Sequence, residues 1–122
     1  MQHLVNWIEI PAKDIERAKT FYGKILGVQF HDMAIGPINY ALFPVDDRHN
    51  CGALAQGENY APGTGGPVIY LDGGNDLDMI LSKVKSAGGS VALKKTFLGD
   101  QAGYIGMFMD SEGNRIGLHN PK

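Results

Sequence analysis

The chain has 122 residues, 43% of them apolar and 20% charged, the makeup of one small globular domain. Eleven Lys and Arg against 13 Asp and Glu leave a net charge of −2 without a block of like charge, which argues against a grip on nucleic acid or anionic membrane. No apolar run approaches the ~20 residues of a membrane-spanning helix, and the single cysteine, Cys51, excludes an internal disulfide or a cysteine-built zinc cage.

No basic segment followed by an apolar stretch opens the chain, so a cytoplasmic address is expected. A first strand is predicted over residues 5–11. Asp14 then suits a helix N-cap, and Ile15, Ala18, Tyr22 and Ile25 recur at the spacing of one helical face before Gly27 stops the helix. Strand-like runs follow at 28–33, 38–44 and 52–56. Residues 61–67, Ala-Pro-Gly-Thr-Gly-Gly-Pro, read as a linker; no Lys-Ser/Thr follows that would make a phosphate loop.

Beyond the linker the order repeats. A strand is predicted at 68–72, then a helix from Asp76 through Leu77, Ile80, Val84 and Ala87 to Gly89. Asp14 and Asp76, Ile15 and Leu77, Tyr22 and Val84, and Gly27 and Gly89 are all 62 residues apart. Strands at 90–93 (with a polar continuation), 103–110 and 115–120 complete the second half, with Gly113-Asn114 as turn chemistry between the last two. Tyr40 and Asp46 recur as Tyr104 and Asp110 at a separation of 64. These ordered correspondences indicate an internal duplication. The result is α+β, two tandem βαβββ modules at 1–60 and 67–122 joined by a linker at 61–66. A half of about 60 residues buries too little surface to be secure alone. The halves are therefore expected to share a core, with helices outside a curved, open, barrel-like mixed sheet.

That order resembles the vicinal-oxygen-chelate superfamily of glyoxalases, bleomycin-resistance proteins and dioxygenases. The likeness is carried by residues 6–22, Asn-Trp-Ile-Glu-Ile-Pro-Ala-Lys-Asp-Ile-Glu-Arg-Ala-Lys-Thr-Phe-Tyr, with Leu26-Gly27, and by residues 103–118, from Gly103-Tyr104 through Asp110-Ser111-Glu112-Gly113-Asn114 to Leu118. The resemblance implies a cleft holding a divalent metal through one residue on each of four strands. Carried over, those places are Trp7, a residue near Ala53, Val68 and Gly117. Indole, methyl, isopropyl and hydrogen offer no lone pair to a cation, so no metal ligand and no cofactor are assigned; a divalent metal held by other residues is the alternative. The resemblance also implies a homodimer.

Strand alternation places Glu9 on the face of Trp7 and His119 on the face of Gly117. Glu9 and His119 are thus the candidate catalytic pair, as general base and acid or as displaced metal ligands. The plainer reading pairs Glu9 with a surface cation and leaves His119 solvated. Trp7, Tyr40, Val68, Tyr70, Tyr104 and Gly117 are the candidate ligand-binding residues, either walls of an aromatic cleft or filling of a closed core. His3, His31 and His49 read as surface residues, and Asp46-Asp47 with His49 lacks the spaced oxygens of a calcium loop. Cys51 reads as a small buried packer. Two functions follow. One is a bleomycin-resistance-like protein binding a small organic molecule without the usual metal site. The other is an enzyme, lactoylglutathione-lyase-like or dioxygenase-like, using a metal through non-standard ligands or metal-free acid–base chemistry. A small-molecule partner is expected in both, and no nucleic acid or membrane.

Overall fold

A computed structural model describes residues 4–44 and 51–121. His3, His49 and Asp46-Asp47 lie outside these residues, as does the Asp46 half of the repeat. The first module runs β1 (Ile8–Pro11), α1 (Ile15–Leu26), β2 (His31–Ile35), β3 (Ile38–Leu42) and β4 (Gly52–Gln56). The second runs β5 (Tyr70–Asp72), α2 (Leu77–Ala87), β6 (Ser90–Gly99), β7 (Gly103–Met109) and β8 (Arg115–Asn120). Each module builds one four-stranded mixed sheet, ordered β1-β4-β3-β2 and β5-β8-β7-β6, with β1 parallel to β4 and β5 parallel to β8. Among the described residues no strand of one sheet pairs with the other, so the sheets do not close into a barrel.

Cap chemistry sets the helices. Asp14 is extended and its side chain accepts from the Arg17 amide, while Gly27 closes α1 in the left-handed region at φ 68. The second helix opens the same way on Asp76 but ends at Gly88, φ 114, one residue before the expected Gly89. Gly89 serves packing instead: a Cβ there would lie 2.2 Å from the Met109 carbonyl and 2.8 Å from the Phe21 ring. The second strand begins three residues later than expected. The two-residue turn Gly36-Pro37 pins Ile35 opposite Ile38 and so places His31 opposite Leu42. Phe30, left outside the strand, packs on Phe43 with ring centroids 6.2 Å apart.

The apolar faces of both helices and one face of each sheet share a single core. Ile10, Ala41 and Leu54 enter it from the first sheet, and Phe108, Ile116 and Leu118 from the second. Phe21 and Tyr22 of α1 reach across to Phe108 at 5.7 and 6.1 Å between centroids, so the first helix packs on the second module's sheet. Strand alternation then turns Glu9, Ala53 and Tyr40 of the first sheet, and Tyr70, Gly117 and His119 of the second, away from the helices.

A polar lock fixes the modules. Glu112, in the β7–β8 turn, accepts from the backbone amides of Lys13 and Asp14 at 2.9 and 2.8 Å, and from Arg17 Nε at 2.7 Å. The Gln56 side chain takes the next free amide, that of Ile15, at 2.8 Å. The orphan N–H groups of the first helix are thereby met by both modules. Buried Asp110 accepts from the Tyr22 hydroxyl at 2.6 Å and from the amides of Glu112 and Asn114. Burial, then the Asp110 charge, raises the Tyr22 phenol well above its ordinary range.

Candidate functional site

The polar groups of the first sheet's outer face converge on Glu9. Its carboxylate accepts from Trp7 Nε1 at 3.1 Å and from the Tyr60 hydroxyl at 2.7 Å, and Tyr60 lies 3.4 Å from the Tyr40 hydroxyl. The strands explain the gathering. Glu9 is registered opposite Ala53 and Tyr40 opposite Ala55, and two fully buried alanines leave a shallow floor over which larger side chains meet. From sequence, Glu9 is a candidate partner of a cation or of a metal. Among the described residues it meets no cation and no metal-binding group, only neutral donors. The hydrogen bond to Glu9, and after it the one to Tyr40, pushes the Tyr60 phenol well above its ordinary range.

Tyr60 has no counterpart among the residues singled out in the sequence. It sits just past β4, where glycine and turn residues hide any period, and its partnership with Glu9 is made by the path of the chain across the sheet. An aromatic beside a turn-rich linker was the available signal, and it is a faint one.

The other sequence candidates are divided between faces. Tyr70 stands over Gly117, opposite it in the strand register, and a Cβ on Gly117 would come within 2.4 Å of the ring. His119, half-buried on the same face, is bonded through Nε2 to the Ala102 carbonyl at 2.6 Å. Glu9 and His119 thus belong to different sheets, and no hydrogen bond joins them. Val68 precedes β5 and is half-buried. Tyr104 turns to the helix side, packing on the core and against Phe97 at 5.1 Å with Lys95 Nζ 4.5 Å from its ring centre. Leu42 pairs with Ala53 eleven positions on, whereas Met107 pairs with Gly117 ten positions on. That one-residue difference reverses the face of Tyr104 relative to Tyr40. Cys51, expected inside, is exposed, since the chain turns into the core only from Gly52.

A cavity of about 270 Å³ adjoins the cluster, between β1, residues 61–67 and the start of β8, with Glu9 and Arg115 on its walls. Asn114 ties those walls together, donating through Nδ2 to the Pro11 carbonyl at 2.8 Å and accepting from the Gly63 amide at 3.1 Å.

The family model of the Glyoxalase/Bleomycin resistance protein/Dioxygenase superfamily matches residues 4–118. A glyoxalase/bleomycin-resistance/dioxygenase domain from Frankia sp. superposes over 100% of both chains with a TM-score of 0.77 at 14% identity. TnmS3, an antibiotic binding protein from Streptomyces sp., matches over 100% of this chain and 98% of its own, with a TM-score of 0.63 at 21% identity. Glyoxalase I from Zea mays matches over 95% of this chain, with a TM-score of 0.65 at 20% identity; the present chain spans 45% of that protein. No curated protein matches.

Proposed function

The chain belongs to the Glyoxalase/Bleomycin resistance protein/Dioxygenase superfamily, and from that premise we propose that it binds a small organic molecule against the Trp7–Glu9–Tyr60–Tyr40 cluster. The observation that carries this reading is Glu9 itself, a half-buried carboxylate in mid-strand, held by neutral donors and walled by three aromatic side chains. Such a combination of apolar walls and a few oriented polar groups suits ligand capture. The fold shared with an antibiotic binding protein agrees with it, as analogy.

The residues carried over to the family's metal places, Trp7, one near Ala53, Val68 and Gly117, are poor donors for a divalent metal. Displaced ligation fits no better. The candidate partner of Glu9, His119, has its Nε2 engaged by the Ala102 carbonyl. Acid–base chemistry through Tyr60 is disfavoured as well, because Glu9 holds the phenol proton. Binding without turnover is the reading these contacts support best.

The outer faces also leave apolar side chains in water, with Trp7 at 43% and Ile35 at 58% exposure on the first sheet and Tyr70 at 46% on the second. A second copy would cover these and enclose the site between half-barrels, so the protein is proposed to act as a homodimer. Light scattering should give twice the chain mass at micromolar concentration; a monomer refutes this part.

Trp7 is the chain's single tryptophan, so its fluorescence reads the site directly. Titration with a neutral flat probe, 2-naphthol, should quench it saturably. Glu9→Ala, which removes the group that orients the indole and the Tyr60 phenol, should weaken binding about tenfold. A non-saturating response in the wild-type protein refutes the proposal.

A further inference from the structure

The cavity beside the cluster carries opposite charges on two walls. Glu9 supplies the carboxylate, and Arg115, first residue of β8, the guanidinium. Among the described residues neither meets a counter-ion, and no ion pair spans the gap between them. The space between is walled by apolar groups, including Pro11, Pro67, Ile69 and Ile116. The Asn114 bonds to Pro11 and Gly63 hold this geometry before any ligand arrives.

A ligand with one charge would engage either half-buried Glu9 or exposed Arg115 and leave the other wall unused. A ligand with both charges satisfies the two walls together. The volume of about 270 Å³ falls just below the ~300 Å³ at which drug-sized pockets begin, room enough for a molecule of amino-acid size. We infer that this cavity is a subsite for zwitterions of amino-acid size, taking the ammonium at Glu9 and the carboxylate at Arg115. The inference rests on the small-molecule reading above and gives that ligand its chemical class.

Three probes sharing a phenyl ring test it: L-phenylalanine, phenethylamine and 3-phenylpropionate, each titrated by Trp7 fluorescence. L-Phenylalanine should bind about tenfold or more tighter than either singly charged analogue. Arg115→Gln changes an exposed side chain and should erase that advantage over the amine. Glu9→Gln, which keeps an acceptor for Trp7 and Tyr60, should erase the advantage over the carboxylate. Equal affinity for the three probes overturns the inference, as does unchanged L-phenylalanine binding in Arg115→Gln. If 2-naphthol saturates while L-phenylalanine does not bind, the subsite falls and the broader function stands. If neither binds, both fall.

Discussion

Replacing Glu112 by glutamine would break the lock between the modules at its most charged point. The Glu112 side chain is 1% exposed, so burial alone would raise its pKa. Its hydrogen bonds from Arg17, the Asp14 amide and Ser111 outweigh burial and bring it from an ordinary 4.5 to about 2. At 1.36 kcal/mol per pH unit that drop is worth at most about 3.4 kcal/mol. The Arg17 side chain is 52% exposed, and solvent screening reduces the figure to about 2 kcal/mol. Because the folded-state value lies below the unfolded one, the stabilisation is complete above about pH 4.5 and is lost as pH falls toward 2. Urea unfolding followed by circular dichroism between pH 2.5 and 7 measures it. Glu112→Gln, which sets an amide N–H₂ against the Arg17 donors, should cost about 2 kcal/mol at pH 7. Its deficit should shrink as the pH drops. A variant within about 0.5 kcal/mol of wild type at pH 7, or two curves falling in parallel to pH 2.5, would refute the reasoning.

The glycines of the two central strands should respond unequally to alanine. At Gly52 the new methyl would meet the Ile8 carbonyl at 2.2 Å, a backbone atom held in the sheet, so Gly52→Ala should lose more than ~2 kcal/mol in urea unfolding. At Gly117 it meets the half-exposed Tyr70 ring, which can swing away, so Gly117→Ala should lose under ~1 kcal/mol while changing the Tyr70 environment by NMR. Tyr60→Phe removes one of the two donors that Glu9 meets among the described residues. It should shift Trp7 emission and weaken 2-naphthol binding about threefold; an unchanged spectrum and affinity would detach Tyr60 from the site.

Local chemistry was readable in the sequence and long-range placement was not. Asp14 and Gly27 mark the ends of the first helix because capping depends on adjacent backbone groups. Ile15, Ala18, Tyr22 and Ile25 are buried because helical period is a property of spacing. The same arithmetic could not place Tyr104, whose face depends on one residue's difference in strand pairing, or Tyr60, which reaches Glu9 across 51 positions. Glu9 was visible as a charge between two isoleucines. That the Tyr60 phenol would join the Trp7 indole on it is decided by the path of the chain after β4.

The bonds from Glu112 to the amides of Lys13 and Asp14 link positions 99 and 98 residues apart. The N-cap amide of the first helix and the amide before it therefore depend on a carboxylate contributed by the second module. Such distant closure slows folding and keeps apolar surface uncovered in the nascent chain. The two halves of the repeat are thus coupled at the start of the first helix: a fragment ending at the linker would lack the carboxylate that meets the Lys13 and Asp14 amides.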